Sequence, residues 1–89
     1  MVNKLQASII KHLKGLNFCW VIKVIVANER GCPDILCCYR GRFYAIEVKN
    51  EGDKLSPIQS VQIEKINKSM GMAFEARSLN DVKKVINSL

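Results

Sequence analysis

Two strand-forming segments separated only by Arg40-Gly41 constrain the fold of this chain more than any other feature. They span residues 34–39 and 42–50 and are rich in β-branched and aromatic residues. Strands joined by two residues form a tight hairpin, and its loop fixes the register of the pair. That register predicts that Asp34 lies directly opposite Glu47 on the same face of the sheet.

The remaining segments predict three helices and two further strands around this hairpin. Residues 3–16 have helical apolar spacing, and residues 18–27 and 72–77 are strand-like. A second helix follows a Ser56 N-cap and ends near Gly71, and a third follows Ser78 and continues to Leu89. The residues expected to contact the core are Ile58, Val61, Ile63, Ile66 and Met70 in the second helix, and Leu79, Val82, Val85, Ile86 and Leu89 in the third. The predicted class is α/β, with a central mixed sheet flanked by helices in the order αβββαβα.

Length and charge narrow the class of protein. The chain has 89 residues, of which 48% are hydrophobic, so we expect one domain over residues 1–89. No apolar run is long enough to span a membrane, and the N-terminus lacks the pattern of a secretory signal, which predicts a cytoplasmic protein. The net charge of +6 favours a polyanionic partner, usually nucleic acid, although a solvated basic surface is the simpler alternative.

The four cysteines and the single histidine do not form a recognisable metal motif. Cys19, Cys32, Cys37 and Cys38 contain no CxxC spacing. We interpret them as small apolar strand residues kept reduced, with a zinc or thiol redox site as the alternative. His12 is interpreted as a surface residue of the first helix.

The residue pattern with chemical meaning is Asp34 together with Glu47-Val48-Lys49. Two carboxylates facing each other on paired strands repel, and a cation between them relieves the repulsion. Hard oxygen ligands on a rigid hairpin suit Mg²⁺ or Mn²⁺, and Lys49 shares the face of Glu47. The arrangement suits metal-assisted phosphodiester hydrolysis. The alternative is a turn residue at Asp34 and an exposed polar strand face.

Four segments together resemble the VRR-NUC branch of the PD-(D/E)XK nuclease superfamily. They are Gly31-Cys-Pro-Asp34, Gly41, Ala45-Ile-Glu47-Val-Lys49 and Ser56-Pro-Ile-Gln59. The resemblance extends over nearly the whole chain and implies a restriction-endonuclease-like core. It implies metal binding by Asp34, Glu47 and the Val48 carbonyl, with Lys49 as the catalytic lysine. It also implies that Gln59 supports the site, and the capping box gives Gln59 a second, purely structural role.

One position departs from the family pattern. Members of the family and the similar Holliday-junction resolvases often carry a glutamate on the first helix, where this chain has the neutral Gln6. Gln6 is either a supporting residue that accepts a hydrogen bond from a metal-bound water or an exposed helix residue.

The resolvases act as two-fold dimers, so the resemblance implies a homodimer on branched DNA. Domains this small are common among phage-encoded members.

Two functions from different classes follow. The first is a Mg²⁺- or Mn²⁺-dependent endodeoxyribonuclease that cuts branched DNA such as four-way junctions. The second is a non-catalytic nucleic-acid-binding module that uses the same basic surface. In both, exposed basic residues contact phosphates. The candidates are Arg30, Arg40, Arg42, Lys54, Lys65 and Lys68.

Overall fold

The structure is a computed structural model that describes residues 3–88. The helices are α1 (Lys4–Lys14), α2 (Pro57–Lys68) and α3 (Leu79–Ile86), and the strands are β1 (Cys19–Lys23), β2 (Ile35–Tyr39), β3 (Arg42–Val48) and β4 (Met72–Ala76). These elements follow the predicted order αβββαβα. Within residues 3–88, no helix is both long enough and apolar enough to cross a membrane.

The four strands form one mixed sheet in the order β1-β2-β3-β4. The first three strands are antiparallel, and β4 runs parallel to β3. The hairpin register is the predicted one, since Tyr39 pairs with Arg42 and Ile35 pairs with Ile46. Arg40 and Gly41 both have positive φ, as a two-residue hairpin turn with matching twist requires.

Helices cover the two faces of the sheet unequally. Helices α1 and α3 bury one face around a core that includes Ile9, Ile35, Tyr44, Ile46 and Val82. Helix α2 contacts β3 and β4 on the opposite face. On the β1–β2 side of that face, the large apolar side chains are exposed, with Trp20 at 55%.

Several predicted boundaries are wrong by one to four residues, and in each case the element is shorter than predicted. The strand predicted over residues 18–27 is only Cys19–Lys23, and Ile25 and Val26 beyond it are exposed. Strand β2 begins one residue later than predicted, and strand β3 ends two residues earlier than predicted. The first helix ends at Lys14, two residues before its predicted end.

The predicted core-facing side of α2 is only partly correct, because Ile63 and Ile66 are half-buried and the other three residues are exposed. None of the α2 residues, all of which the structure describes, is fully buried. Ile58 and Val61 are more than one third exposed, and Met70 is 92% exposed. The C-cap of α2 is Ser69, and the positive φ expected at Gly71 occurs at Met70. Helix α2 therefore packs on the sheet only at its margin.

The last helix buries the predicted residues but ends at Ile86, whereas the prediction continued it to Leu89. Val82 and Ile86 are buried, Leu79 and Val85 pack against the core, and Leu89 lies outside the described residues. The Ser78 hydroxyl accepts a hydrogen bond from the Asp81 amide, as an N-cap should. The Asp81 carboxylate accepts from the Arg77 amide rather than from Ser78, so the predicted capping box is only half formed.

Three of the four cysteines, Cys19, Cys37 and Cys38, are strand residues as predicted, whereas Cys32 lies in the loop before β2. The Sγ atoms of Cys19 and Cys37 lie 3.4 Å apart as free thiols. Burial, with a smaller contribution from the hydrogen bond between Cys37 and Cys19, raises the pKa of the Cys37 thiol to about 12. A neutral, buried thiol of this kind is a packing group rather than a nucleophile.

Gly31 is the glycine on which the fold depends most directly. Its φ is +78°, and a Cβ there would lie 2.8 Å from the carbonyl oxygen of Ile58 in the first turn of α2. Gly41 has a similar φ of +82° but open space around it. We expect Gly31→Ala to destabilise the protein by about 3 kcal/mol or more, because both strain and steric overlap act. Gly41→Ala, with strain alone, should cost about 1–2 kcal/mol.

Urea unfolding of the two variants measures this difference. Equal losses of stability would contradict the close approach of residue 31 to α2. The comparison is matched, because both substitutions add the same methyl group at a left-handed backbone position.

Candidate active site

Asp34 is held at the end of the sheet where β1 and β3 finish. It immediately precedes β2, and its carbonyl accepts a hydrogen bond of 2.8 Å from the Val24 amide, just after β1. Its carboxylate Oδ2 accepts a second bond of 2.9 Å from the Val48 amide of β3. Two strands therefore fix the backbone and the side chain of Asp34, and the hairpin register points it toward Glu47.

Glu47 is a buried carboxylate on β3 whose second oxygen has no partner. The residue is 3% exposed, and its Oε1 accepts a bond of 3.2 Å from Gln59 Nε2. Its Oε2 is buried and finds no hydrogen-bond partner within the described chain. An unsatisfied buried carboxylate oxygen is costly, and either a proton or a cation on this oxygen would offset the cost.

The electrostatics of Glu47 reflect the same crowding. Burial is the largest cause, and the neighbouring charge of Asp34 adds to it, so the pKa of Glu47 rises to about 7. The positive charge of Lys49 acts in the opposite direction and lowers this pKa. A carboxylate that ionises only near neutrality is one that a cation would stabilise in its charged form.

Lys49 follows β3 and is anchored through its backbone. Its amide donates a 2.9 Å bond to the Ala76 carbonyl at the end of β4. The side chain is half-buried and lies two residues beyond Glu47, on the same face. The ammonium is thus presented beside the two carboxylates, as the sequence predicts.

Gln59 combines the two roles that the sequence leaves open. Its Oε1 accepts a hydrogen bond of 2.9 Å from the backbone amide of Ser56, and the backbone amide of Gln59 donates to the Ser56 hydroxyl. Together the two bonds complete a capping box. The Nε2 of Gln59 donates to Glu47, so the start of α2 is tied directly to the carboxylate site. The N-terminal turn of α2 is therefore the element that orients Glu47.

The donor set suits a hard divalent cation. Two carboxylates converge, and the Val48 carbonyl lies on the same strand end, where it stays a predicted third donor. Within residues 3–88, no group of three His, Cys, Asp or Glu side chains converges, and zinc sites use such groups. Mg²⁺ commonly binds through one or two carboxylates and keeps several waters, which fits this smaller set.

Gln6 is buried on α1, at 9% exposure, and so is not the exposed helix residue of the alternative interpretation. It lines a groove that also includes Lys23 at the end of β1. The backbone amide of Gln6 donates a hydrogen bond to the side chain of Asn3, which caps the helix. The structure places Gln6 on the helix expected from the resemblance, and its support of the site stays a prediction.

Four of the six predicted DNA-contacting residues lie at two ends of the sheet, and the other two, Lys65 and Lys68, lie in the last turn of α2. Arg30 and Lys54 are exposed in the loops that adjoin the carboxylates. Arg40 and Arg42 lie at the hairpin, and Arg40 stacks over Tyr39. Arg42 is five residues from Glu47 along β3, or about 17 Å at the usual strand rise. The hairpin arginines are therefore remote from the carboxylates.

Arg77 supports the site and was missed in the sequence. It pairs with Glu75 and donates hydrogen bonds to the carbonyls of Asn50 and Asp53, so it holds the turn that follows Lys49. Glu75 lies directly across from Glu47 in the parallel register of β4. The hydrogen bonds of Arg77 to Asn50 and Asp53 join segments 24 or more residues apart, so no local sequence pattern predicts them.

Comparisons with known proteins give the same fold. A solved structure described as "VRR_NUC domain" has a TM-score of 0.79 and 28% identity, covering 93% of this chain and 90% of that one. Another, described as "VRR_NUC domain protein", has a TM-score of 0.76 and 21% identity, covering 93% and 82%. No protein-family model and no curated protein matches the sequence. Over nearly its whole length the chain is thus similar to VRR-NUC domains, which confirms the resemblance seen in its motifs.

Proposed function

We propose that this protein is a metal-dependent endodeoxyribonuclease of the PD-(D/E)XK type, formed by one domain over residues 1–89. The observation that carries the proposal is the buried, unpartnered Oε2 of Glu47 beside the fixed carboxylate of Asp34. Similarity to VRR-NUC domains indicates a nuclease-type domain and agrees with this chemistry.

Asp34 and Glu47, with the Val48 carbonyl, would hold Mg²⁺ or Mn²⁺. The cation, when bound, supplies Lewis-acid activation of the phosphodiester and of the attacking water. The protein contributes a rigid site, because the Val48 amide fixes Asp34 and Gln59 fixes Glu47. Such positioning lowers the cost of organising the reactants in the transition state.

Lys49 supplies a positive charge on the substrate side of this site. In its position on the Glu47 face, the ammonium would orient the water or stabilise the negative charge that develops on the phosphorus oxygens. Gln59 contacts Glu47 and not the substrate, so we assign it a positioning role. Gln6 would support a metal-bound water from α1.

We propose branched DNA as the substrate and a homodimer as the active form. The net charge of +6 suits a polyanion, and Arg30 and Lys54 lie in the loops next to the carboxylates. The exposed Trp20, Ile22 and Phe43 on the uncovered half of the sheet give apolar surface that a second copy would bury. Two sites in a two-fold dimer match a symmetric four-way junction.

A non-catalytic binding module is the alternative, and the site geometry disfavours it. A binding surface needs cations toward DNA, whereas Glu47 places a buried acidic group there at a cost in stability. A metal-binding role explains the retention of this group, and a purely electrostatic role does not.

The test is a cleavage panel of linear, nicked, flap and four-way DNA with Mg²⁺, Mn²⁺ or EDTA. We expect cleavage with either metal, none with EDTA, and preference for branched substrates. A dimer should place paired nicks symmetrically on the four-way DNA. DNA binding without divalent-dependent cleavage would overturn the nuclease proposal in favour of the binding module.

A further inference from the structure

A groove of about 390 Å³ runs between α1 and the end of β1, separate from the carboxylate pair. Its polar lining consists of Asn3, Gln6, Lys11, Lys14 and Lys23. The α1 members recur at helical spacing and so share one face of the helix. The groove therefore presents three ammonium groups and a buried amide on one wall.

The charge in this groove is uncompensated. No acidic side chain among residues 3–88 lines it, and α1 contains no acidic residue. Among residues 3–88, ion pairs form between Lys68 and Glu64 and between Arg77 and Glu75, and none involves these three lysines. Three neighbouring cations repel one another, so an anion in the groove would stabilise the arrangement.

The groove and the carboxylate pair lie at the same end of the sheet. Because only residues 15–18 connect α1 to β1, the helix runs back along β1 and its N-terminus lies near the end of that strand. Lys23 ends β1 and pairs with Ile35, and the next residue, Val24, bonds to Asp34. Neighbouring strands are about 4.8 Å apart, so the backbone of Lys23 is one strand away from that of Asp34. Because side chains alternate along a strand, Lys23 shares the face of its partner Ile35 and Asp34 points to the other face, so a DNA strand would reach both at this end of the sheet.

We propose that this groove binds the backbone phosphates of the DNA strand next to the bond held by Asp34 and Glu47. The inference rests on the proposed function. It assigns phosphate contacts to α1 that Arg30 and Lys54 in the loops do not provide. Helix α1 spans about 16 Å, which is longer than one phosphate group requires. The extended row from Lys23 to Lys14 therefore fits a nucleic-acid strand better than a small anion.

The test measures DNA binding, without cleavage, by fluorescence anisotropy in EDTA over a range of KCl concentrations. Lys11→Gln/Lys14→Gln is compared with Lys83→Gln/Lys84→Gln. Both pairs are exposed lysines in the last turn of a helix, so charge and helix-dipole changes are matched. The groove variant should lower the slope of log K against log[salt] by about 1.8, since each duplex phosphate contact contributes about 0.9.

We expect the groove variant to bind about tenfold more weakly or worse at 0.1 M KCl, and the α3 variant to bind like the wild type. Lys23→Gln alone should lower the slope by about 0.9. Equal losses in both double variants, or an unchanged slope in the groove variant, would overturn the inference. Displacement of DNA by millimolar inorganic phosphate at constant ionic strength would identify a small-anion site and also overturn it.

These readings separate the inference from the nuclease proposal. Because the assay contains EDTA, selective loss of binding supports the groove even if no DNA is ever cut. Cleavage by a groove variant with unchanged binding supports the nuclease and overturns the groove.

Discussion

Glu47→Gln is expected to reduce DNA cleavage by about 10³-fold or more while the protein remains folded. The amide keeps the shape and the hydrogen-bonding capacity of the side chain but loses the charge that would bind the cation. Asp34→Asn should cause a similar loss, because the two carboxylates act on one site. Lys49→Met should lower cleavage by about 10²–10³-fold, as expected when one charge-stabilising group is removed.

Gln59 gives a graded comparison within the same experiment. Gln59→Ala removes the bond to Glu47 and one half of the capping box, and should reduce cleavage by about 10–100-fold. Ser56→Ala removes the cap hydroxyl and leaves the Gln59–Glu47 bond possible. Its loss should be mainly in stability, about 1 kcal/mol, with cleavage near that of the wild type.

Single-turnover cleavage of labelled DNA, with circular dichroism as the folding control, measures these effects. Full activity in folded Glu47→Gln protein would contradict the assignment of the site. Equal loss in the Ser56 and Gln59 variants would show that Gln59 acts through the helix cap and not through Glu47.

The carboxylate pair was predictable because it depends on a local structure. A two-residue loop fixes the register of its hairpin, and that register alone brings residue 34 opposite residue 47. The observed pairing of Ile35 with Ile46 continues to that position. Capping at Ser56 was predictable for the same reason, since the pattern lies within four residues.

The parts that the sequence did not predict depend on contacts between distant segments. Helix α2 has apolar residues at suitable spacing, yet the sheet offers it only a margin, and Val61 stays exposed. Arg77 donates hydrogen bonds to the backbone carbonyls of Asn50 and Asp53. Every residue has a backbone carbonyl, so the residue types in this turn do not indicate the contact. The Lys23 groove likewise arises only when α1 folds back on β1.

The stability of the metal-free protein should fall as the pH rises from about 4.5 to about 7, as far as Glu47 is concerned. Burial raises the pKa of Glu47 from 4.5 to about 7, so the native state binds this proton more tightly than the unfolded state. Stability falls with pH wherever the native state holds more protons, and the loss ends above the folded pKa. At 1.36 kcal/mol per pKa unit, the contribution is about 3 kcal/mol.

Glu47→Gln isolates this contribution, because it removes the titrating group and keeps the packing. In EDTA at pH 8 the variant should be more stable than the wild type, and at pH 4.5 the two should be alike. Mg²⁺ at 100 times its Kd should stabilise the wild type by about 2.7 kcal/mol and leave the variant unchanged.

Urea unfolding at both pH values, with and without Mg²⁺, measures these differences, and Glu64→Gln is the matched control. Glu64 is exposed and pairs only with Lys68, so its substitution should leave the pH dependence and the Mg²⁺ response of the wild type intact. A Glu47→Gln protein that is less stable than the wild type at pH 8 in EDTA would mean that the ionised carboxylate is already satisfied by the protein. The case for a cation at this site would then lose its main physical support, because that case depends on the cost of burying Glu47 without a partner.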